Sequence, residues 1–298
     1  MMKRPTTMAA AFSPNVRSIS LPARSHPSTV RVEEELNKLK SWESSSSSSS
    51  KAETICLGLS LLSELYKRIQ DLLNLPLTQQ ALSQDHHQKW VNELLEGSLR
   101  YLDACGNTRD SVLSMQETVR ELQSALRRRK VGELGNESVV SAYFCSRRKM
   151  KKETAKSLAS LKPPLMDGLD CLEKKDDHLL AVVRVLRETS LITISIFHSL
   201  LLFLSAQVLK PKPSRWSLVS KLVQKSVQNV NELEGVDMAL GSLLMQSSCR
   251  EMEGQKMQSA QIGLDALDVS MEGIVKGLEC LFRHLIQTRV FLLNIMSH

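Results

Sequence analysis

The residues best suited to chemistry form a short motif near the N-terminus, Arg-Ser-Ile-Ser-Leu-Pro at positions 17–22. It fits the pattern R-S-x-S-x-P, whose second serine, once phosphorylated, docks into the groove of a 14-3-3 protein. Arg17 suits kinases that read a basic residue three positions before the serine. A phosphate on Ser20 adds about −1.5 to −2 charge and three acceptor oxygens for an arginine cluster. Together Arg17, Ser18, Ser20 and Pro22 predict binding to 14-3-3 proteins; alternatively, the segment belongs to a transit peptide.

A second candidate site is a pair of basic clusters on either side of a predicted turn. Positions 120 to 152 hold ten Lys and Arg against three Glu, a local charge of +7 that equals the net charge of the chain. If the turn is tight, the clusters approach each other and form one basic patch of Arg127, Arg128, Arg129, Lys130, Arg147, Arg148, Lys149, Lys151 and Lys152. Such a patch attracts an anionic membrane surface or an acidic partner, acts in nuclear import, or is only a solvated helix end. Nucleic acid is less favoured, because stacking aromatics are scarce nearby.

The sequence gives little support for enzymatic chemistry. It contains no G-x-G-x-x-G, G-K-S/T, H-E-x-x-H or G-x-S-x-G motif, so we predict no catalytic residue, no metal site and no cofactor. The acidic cluster at residues 173–178 and the pair His86 and His87 are interpreted as solvated surface. The six cysteines lack any C-x-x-C pair and are expected to be small buried hydrophobes in a reducing compartment. This favours an intracellular, cytoplasmic protein, with membrane association or an organelle as alternatives.

The composition and the hydrophobic periodicity predict the elements that must position these residues. Aromatic residues make up only 4% of the chain, with 12 Gly and 9 Pro, which favours helices over short strands. We expect an all-α fold, an elongated multi-helix bundle with long antiparallel helices, at residues 52–298. Residues 1–51 are expected to form a disordered Pro/Ser-rich arm with a short amphipathic helix from about Glu33 to Trp42 and a poly-Ser linker at 44–50.

Three long helices are predicted within the bundle, at about residues 88–130, 138–161 and 165–209, and a fourth ends the chain. The last helix carries two seven-residue series, which are Leu264, Met271, Leu278, Leu285 and Leu292, and Leu267, Ile274, Leu281, Thr288 and Ile295. These heptads are typical of coiled-coil packing. Apolar flanking residues widen the face beyond a dimeric zipper seam and favour packing inside a bundle.

Residues 189–209 leave one structural alternative open. This stretch of twenty-one residues has no charge and is long enough to span about 30 Å of hydrocarbon. However, four polar residues share one side of the predicted helix, which are Ser195, His198, Ser199 and Ser205. We therefore favour a central buried helix and keep a single-span or peripheral membrane protein as the alternative.

Four stretches carry a family resemblance, at residues 12–42, 75–82, 99–106 and 289–298. The first holds Phe-Ser-Pro-Asn-Val-Arg-Ser-Ile-Ser-Leu-Pro, and the last reads Arg-Val-Phe-Leu-Leu-Asn-Ile-Met-Ser-His. In these segments the chain resembles the BYPASS-like proteins of plants, although Ser297 replaces the expected Asn. The resemblance implies a role in root and shoot development, with no assigned activity. Together these features predict a non-enzymatic regulatory or scaffold protein that acts through protein contacts. A membrane-associated protein is the main alternative, and an enzyme is a distant third.

Overall fold

The computed structural model describes residues 26–46, 51–83, 88–128, 137–162, 177–206, 230–244 and 250–297. Within these ranges the chain forms α-helices and no strand, which confirms the predicted all-α bundle. The helices are α1 (Pro27–Ser46), α2 (Ala52–Leu73), α3 (Pro76–Leu82), α4 (Gln88–Arg128), α5 (Glu137–Ser160), α6 (Asp177–Leu204), α7 (Glu232–Leu244) and α8 (Arg250–Ser297).

Helix α8 is the centre of the bundle, because both of its heptad series face inward. All ten members of the two series are at most 5% exposed. Helix α4 packs antiparallel to α8, where the Cys105 thiol lies 3.3 Å from the Leu278 carbonyl. Helix α2 packs parallel to α8, and Gln70 Nε2 donates to the His284 carbonyl at 3.0 Å. Helix α7 also packs against α8, so the wide apolar face is shared by several neighbours, as is typical of a bundle.

Helix α4 is continuous over 41 residues, as the absence of proline from its sequence predicts. Gly106 does not interrupt it. Helix α5 agrees with the prediction at 138–161 and packs antiparallel against α4.

Helix α6 contains most of the uncharged stretch at 189–209. Its apolar side is buried against α1, α2 and α5, with Ile196, Phe197 and Leu200 at 0% exposure. Ser195 and Ser199 are half-buried and His198 is exposed, as their shared side predicts. Among the helices that the structure describes, none is long and apolar enough to cross a membrane. Residues 207–209 and the predicted helical residues 165–176 lie outside the described ranges.

The first helix lies before the domain boundary expected at residue 52. Helix α1 begins at Pro27, where proline suits the first helical position, and it packs against α2 and α6. Val32, Leu36 and Leu39 are 0–1% exposed and belong to the common core. Burying each of these three apolar side chains contributes about 1.5–3 kcal/mol to the stability of the fold. This apolar stripe of α1 therefore favours packing against other helices. The packed unit therefore includes α1, and residues 1–25 and 47–50 lie outside the described ranges.

The contact between α1 and α2 depends on a glycine. Trp42 Nε1 donates to the Thr54 carbonyl at 2.9 Å, and the indole lies over Gly58. A Cβ at position 58 would lie 2.6 Å from Trp42 Cζ2. The close approach of the two helices thus requires a residue without a side chain at position 58.

Candidate functional site

The phospho-motif predicted at Arg17, Ser18, Ser20 and Pro22 lies outside the described residues. Arg129 and Lys130 of the basic patch also lie outside them. Of the remaining patch residues, Arg127 and Arg128 end α4 and are exposed, whereas the other five belong to α5. Arg127 donates to Asp265 of α8 at 3.1 Å.

The described residues of the two basic clusters do not form one patch, contrary to the expectation from a tight turn. Thr118 Oγ1 of α4 and Ser146 Oγ of α5 lie 3.0 Å apart and fix the antiparallel register of the two helices. With a rise of 1.5 Å per residue, this register places Arg148 about 16 Å along the axis from the level of Arg127. The clusters are separated because the second one begins three turns inside α5.

The prediction that Arg147 belongs to the basic patch was wrong, because its side chain lies in the core. It is fully buried, and so is Asp237 of α7. The guanidinium Nε lies 3.2 Å from Asp237 Oδ1, and a terminal nitrogen lies 3.0 Å from Oδ2. The Tyr143 hydroxyl donates to Asp237 Oδ1 at 2.9 Å. We call these three residues the buried ionic cluster.

The buried ionic cluster also closes the end of α6. Arg147 donates to the carbonyls of Leu204 at 3.1 Å and Ala206 at 3.3 Å, at the C-terminal end of α6, where helix carbonyls need donors from outside the helix. Asn231 Nδ2 donates to the Phe203 carbonyl at 3.2 Å, and Asn231 Oδ1 accepts from the Glu234 amide at 2.8 Å as the N-cap of α7. Helices α5, α6 and α7 are thus joined at one buried point.

The groups of the buried ionic cluster stabilise one another. Burial, followed by the negative charge of Asp237, raises the pKa of Tyr143 well above its usual 10.0. The phenol therefore remains a proton donor to the carboxylate. The Arg147 and Asp237 charges are paired, as buried charges must be. Their side chains have no solvent-exposed surface with which to meet a substrate.

A sequence signal for the buried ionic cluster does exist. Val140, Tyr143, Phe144, Arg147 and Met150 recur every three or four residues, and all five are buried. Arg147 therefore lies on the apolar stripe of α5. The run of basic residues in the sequence predicted that Arg147 belongs with Arg148 and Lys149, whereas the helical periodicity of the apolar residues assigns Arg147 to the buried side.

The remaining cations of the second cluster define the basic face of α5, which comprises Arg148, Lys149, Lys151 and Lys152. All four are exposed. No ion pair joins any of them to another described residue, whereas Lys156, one turn further on, binds Glu153 at 3.1 Å. A cavity of about 230 Å³ opens beside this face between α4 and α5, and Lys149, Ser111 and Ser146 contribute to its lining.

A second cavity, of about 400 Å³, lies between the end of α2 and α8. Ile286, Val290 and Phe291 supply its apolar side, and Gln70 and Asn74 its polar side. Nearby, Gln70 Nε2 lies 3.2 Å from His284 Nδ1. Burial is the main cause that lowers the pKa of His284 from 6.5, which favours the neutral ring that this contact with an amide donor requires.

Potential metal ligands are dispersed in the described part of the chain, where no group of three or more His, Cys, Asp or Glu residues comes together. His178 Nε2 lies 3.1 Å from Thr78 Oγ1, so this histidine contacts a neighbouring helix. Cys105 is buried, as predicted, but Cys145 is exposed, so the expectation of buried cysteines was wrong there. His86, His87 and residues 173–176 fall outside the described ranges.

Comparison with known proteins identifies one family. The family model described as Protein BPS1 matches residues 58–295, from α2 to the last turn of α8. The match is consistent with the plant family that the sequence resembles. No curated protein and no solved structure matches the chain.

Proposed function

We propose, from the premise that this chain belongs to the Protein BPS1 family, that it is a non-enzymatic regulatory or scaffold protein. It acts through protein contacts in plant root and shoot development. The helical bundle supplies a rigid body, and the segment before α1 supplies a phosphorylation-dependent contact for 14-3-3 proteins at Ser20. The developmental role rests on the family resemblance.

The scaffold proposal rests on one observation. The buried ionisable groups contact one another and neighbouring helices. The polar groups most similar to a catalytic constellation, Tyr143, Arg147 and Asp237, bind one another and the end of α6. A catalytic group must reach a substrate, usually in a cleft. Here the charges instead join three helices, and this use supports a structural body over a reaction centre.

The position of the phospho-motif supports the binding proposal. The motif ends at Pro22, and α1 begins at Pro27 and is anchored to the core through Val32 and Leu36. A ligand for a 14-3-3 groove must be extended over several residues and attached to a body that does not block the groove. The composition of residues 1–25, which lack any acidic residue, suits the basic-directed kinases that would phosphorylate Ser20.

The binding proposal is tested with peptides of residues 12–28 and a purified 14-3-3 protein. The peptide phosphorylated at Ser20 should bind, and its unphosphorylated twin should not, because charge-assisted hydrogen bonds to the phosphate supply the affinity. A phosphorylated peptide with Pro22→Ala should bind more weakly. Equal, weak binding by all three peptides would contradict the proposal.

A further inference from the structure

The basic face of α5 is a strongly charged surface that the proposed function does not use. Its four cations, Arg148, Lys149, Lys151 and Lys152, occupy five consecutive positions and are exposed. At 100° per residue they fall within an arc of about 160°. The opposite side of α5 is buried in the bundle. The four charges therefore point away from the protein together.

Nearby carboxylates do not neutralise this face. Asp110 and Glu153 line the cavity beside Lys149. Asp110 already binds Arg109 at 2.9 Å, and Glu153 binds Lys156 at 3.1 Å. The field of the four unpaired cations thus extends into solvent, where it attracts anions over about one Debye length.

Apart from Lys156, the exposed side chains that flank the four cations on α5 are small. Ser141, Ala142, Ala155, Ala159 and Ser160 make up much of the remaining exposed surface of α5. The aromatic residues of this helix, Tyr143 and Phe144, are buried at 0% and 8% exposure. The face is therefore flat and offers neither an aromatic ring for stacking nor a large apolar side chain for insertion.

We propose that the basic face of α5 binds the surface of an anionic membrane and holds the bundle there by charge alone. Lysines near such a surface each contribute to adsorption without a shaped pocket. Because the face lacks large apolar residues, the bundle would adsorb without inserting. Since the four cations project from the side of α5 and not from its end, α5 and its partner α4 would lie parallel to the membrane plane.

Other polyanions fit this face less well. A protein interface draws its affinity from a desolvated centre rich in Trp, Tyr and Arg, and the exposed side of α5 contains no aromatic residue. Single-stranded nucleic acid needs stacking platforms. Arginine dominates bidentate phosphate recognition, yet three of the four cations here are lysine. Diffuse attraction to lipid headgroups needs none of these features.

The proposal is tested by sedimentation of the full chain with vesicles. One set contains phosphatidylcholine with about 30% phosphatidylserine, and the other contains phosphatidylcholine alone. The test variant neutralises Arg148, Lys149, Lys151 and Lys152 to Gln. The control variant makes the same charge change at cations exposed elsewhere, which are Lys51, Arg184, Arg187 and Arg283. Circular dichroism shows whether both variants keep the helical fold.

The wild-type chain should bind the anionic vesicles at about 0.1 M salt and dissociate from them at about 0.5 M salt. Each neutralised cation should weaken the binding about fivefold, so that the test variant loses roughly several-hundredfold in partition. The control should lose far less, because Lys51 precedes α2 and its other three residues lie on α6 and α8.

Three outcomes would overturn the proposal. The first is a wild-type chain that does not sediment with anionic vesicles, and the second is a folded test variant that binds like the control. The third is a short RNA duplex that binds the wild type more tightly than the vesicles do at the same salt concentration. That last result would assign the face to nucleic acid.

Discussion

Replacing Asp237 by alanine should strongly destabilise the protein, because the change leaves the Arg147 guanidinium buried without its counter-charge. Both side chains of this ion pair are 0% exposed. Removing one partner of a buried pair costs about 3–5 kcal/mol. Domains of this kind are stable by only about 5–15 kcal/mol, so the loss is a large fraction of the total.

The assay is urea unfolding followed by circular dichroism at 222 nm, which is the usual helix signal. Glu153→Ala is the matched control, because it removes the carboxylate of the exposed pair with Lys156 on the same helix as Arg147. An exposed pair contributes about 0–1 kcal/mol. The midpoint should therefore fall much further for Asp237→Ala than for Glu153→Ala.

A double variant separates the effect of the unpaired buried charge on stability from the effect of the lost side-chain volume. Arg147→Met with Asp237→Leu removes both charges and should be more stable than Asp237→Ala by about 2 kcal/mol or more. It should remain below the wild type, because the Leu204 and Ala206 carbonyls lose the donor that Arg147 provides. An Asp237→Ala variant within about 1 kcal/mol of the wild type would refute the reasoning.

Three further predictions concern packing, alkaline pH and thiol reactivity. Gly58→Ala should destabilise the chain by about 1–3 kcal/mol in urea unfolding, because its Cβ would collide with Trp42. Gly241→Ala meets no atom within 4 Å and should instead stabilise by about 0.5–1 kcal/mol; equal effects would contradict this packing. Burial raises the pKa of Cys105 from 9.0 to about 12. The unfolded thiol loses its proton first, so the free energy of unfolding should fall as the pH rises above 9, by at most about 1.4 kcal/mol per pH unit. Cys105→Ala should flatten that fall, and an unchanged slope would count against it. A maleimide added to the native protein should modify the exposed Cys145 before the buried Cys105, as peptide mass spectrometry would show; the reverse order would exclude this arrangement.

The helices of this bundle were predictable because apolar periodicity reports burial directly. The heptads of α8 predicted its buried face, and the uncharged stretch of α6 proved to pack within the bundle over its described residues. The position of α1 was less accessible. Its stripe of Val32, Leu36 and Leu39 predicted a helix, but a Ser-rich neighbourhood suggested a separate arm. Only the tertiary structure shows that α2 and α6 form the groove that buries it.

The candidate sites were harder to predict, because charge in a sequence does not reveal which way a side chain points. Arg147 and Arg148 are adjacent in the sequence, but the rotation of about 100° between them turns Arg147 into the core and leaves Arg148 exposed. Asp237, the partner of Arg147, is ninety positions away along the chain, and no local pattern links two such residues. The separation of Arg127 from the basic face of α5 likewise depends on the register of two helices, which the contact between Thr118 and Ser146 reveals.

The central claim is that the protein acts through contacts with other proteins, governed by phosphorylation of Ser20. The most direct test is affinity purification of the full chain from plant tissue, with and without phosphatase treatment, beside Ser20→Ala and a Ser13→Ala control. The account predicts that 14-3-3 proteins are recovered with the wild type and with Ser13→Ala, and that phosphatase or Ser20→Ala abolishes their recovery. Recovery that is the same in all samples, or absent from the untreated wild type, would contradict it.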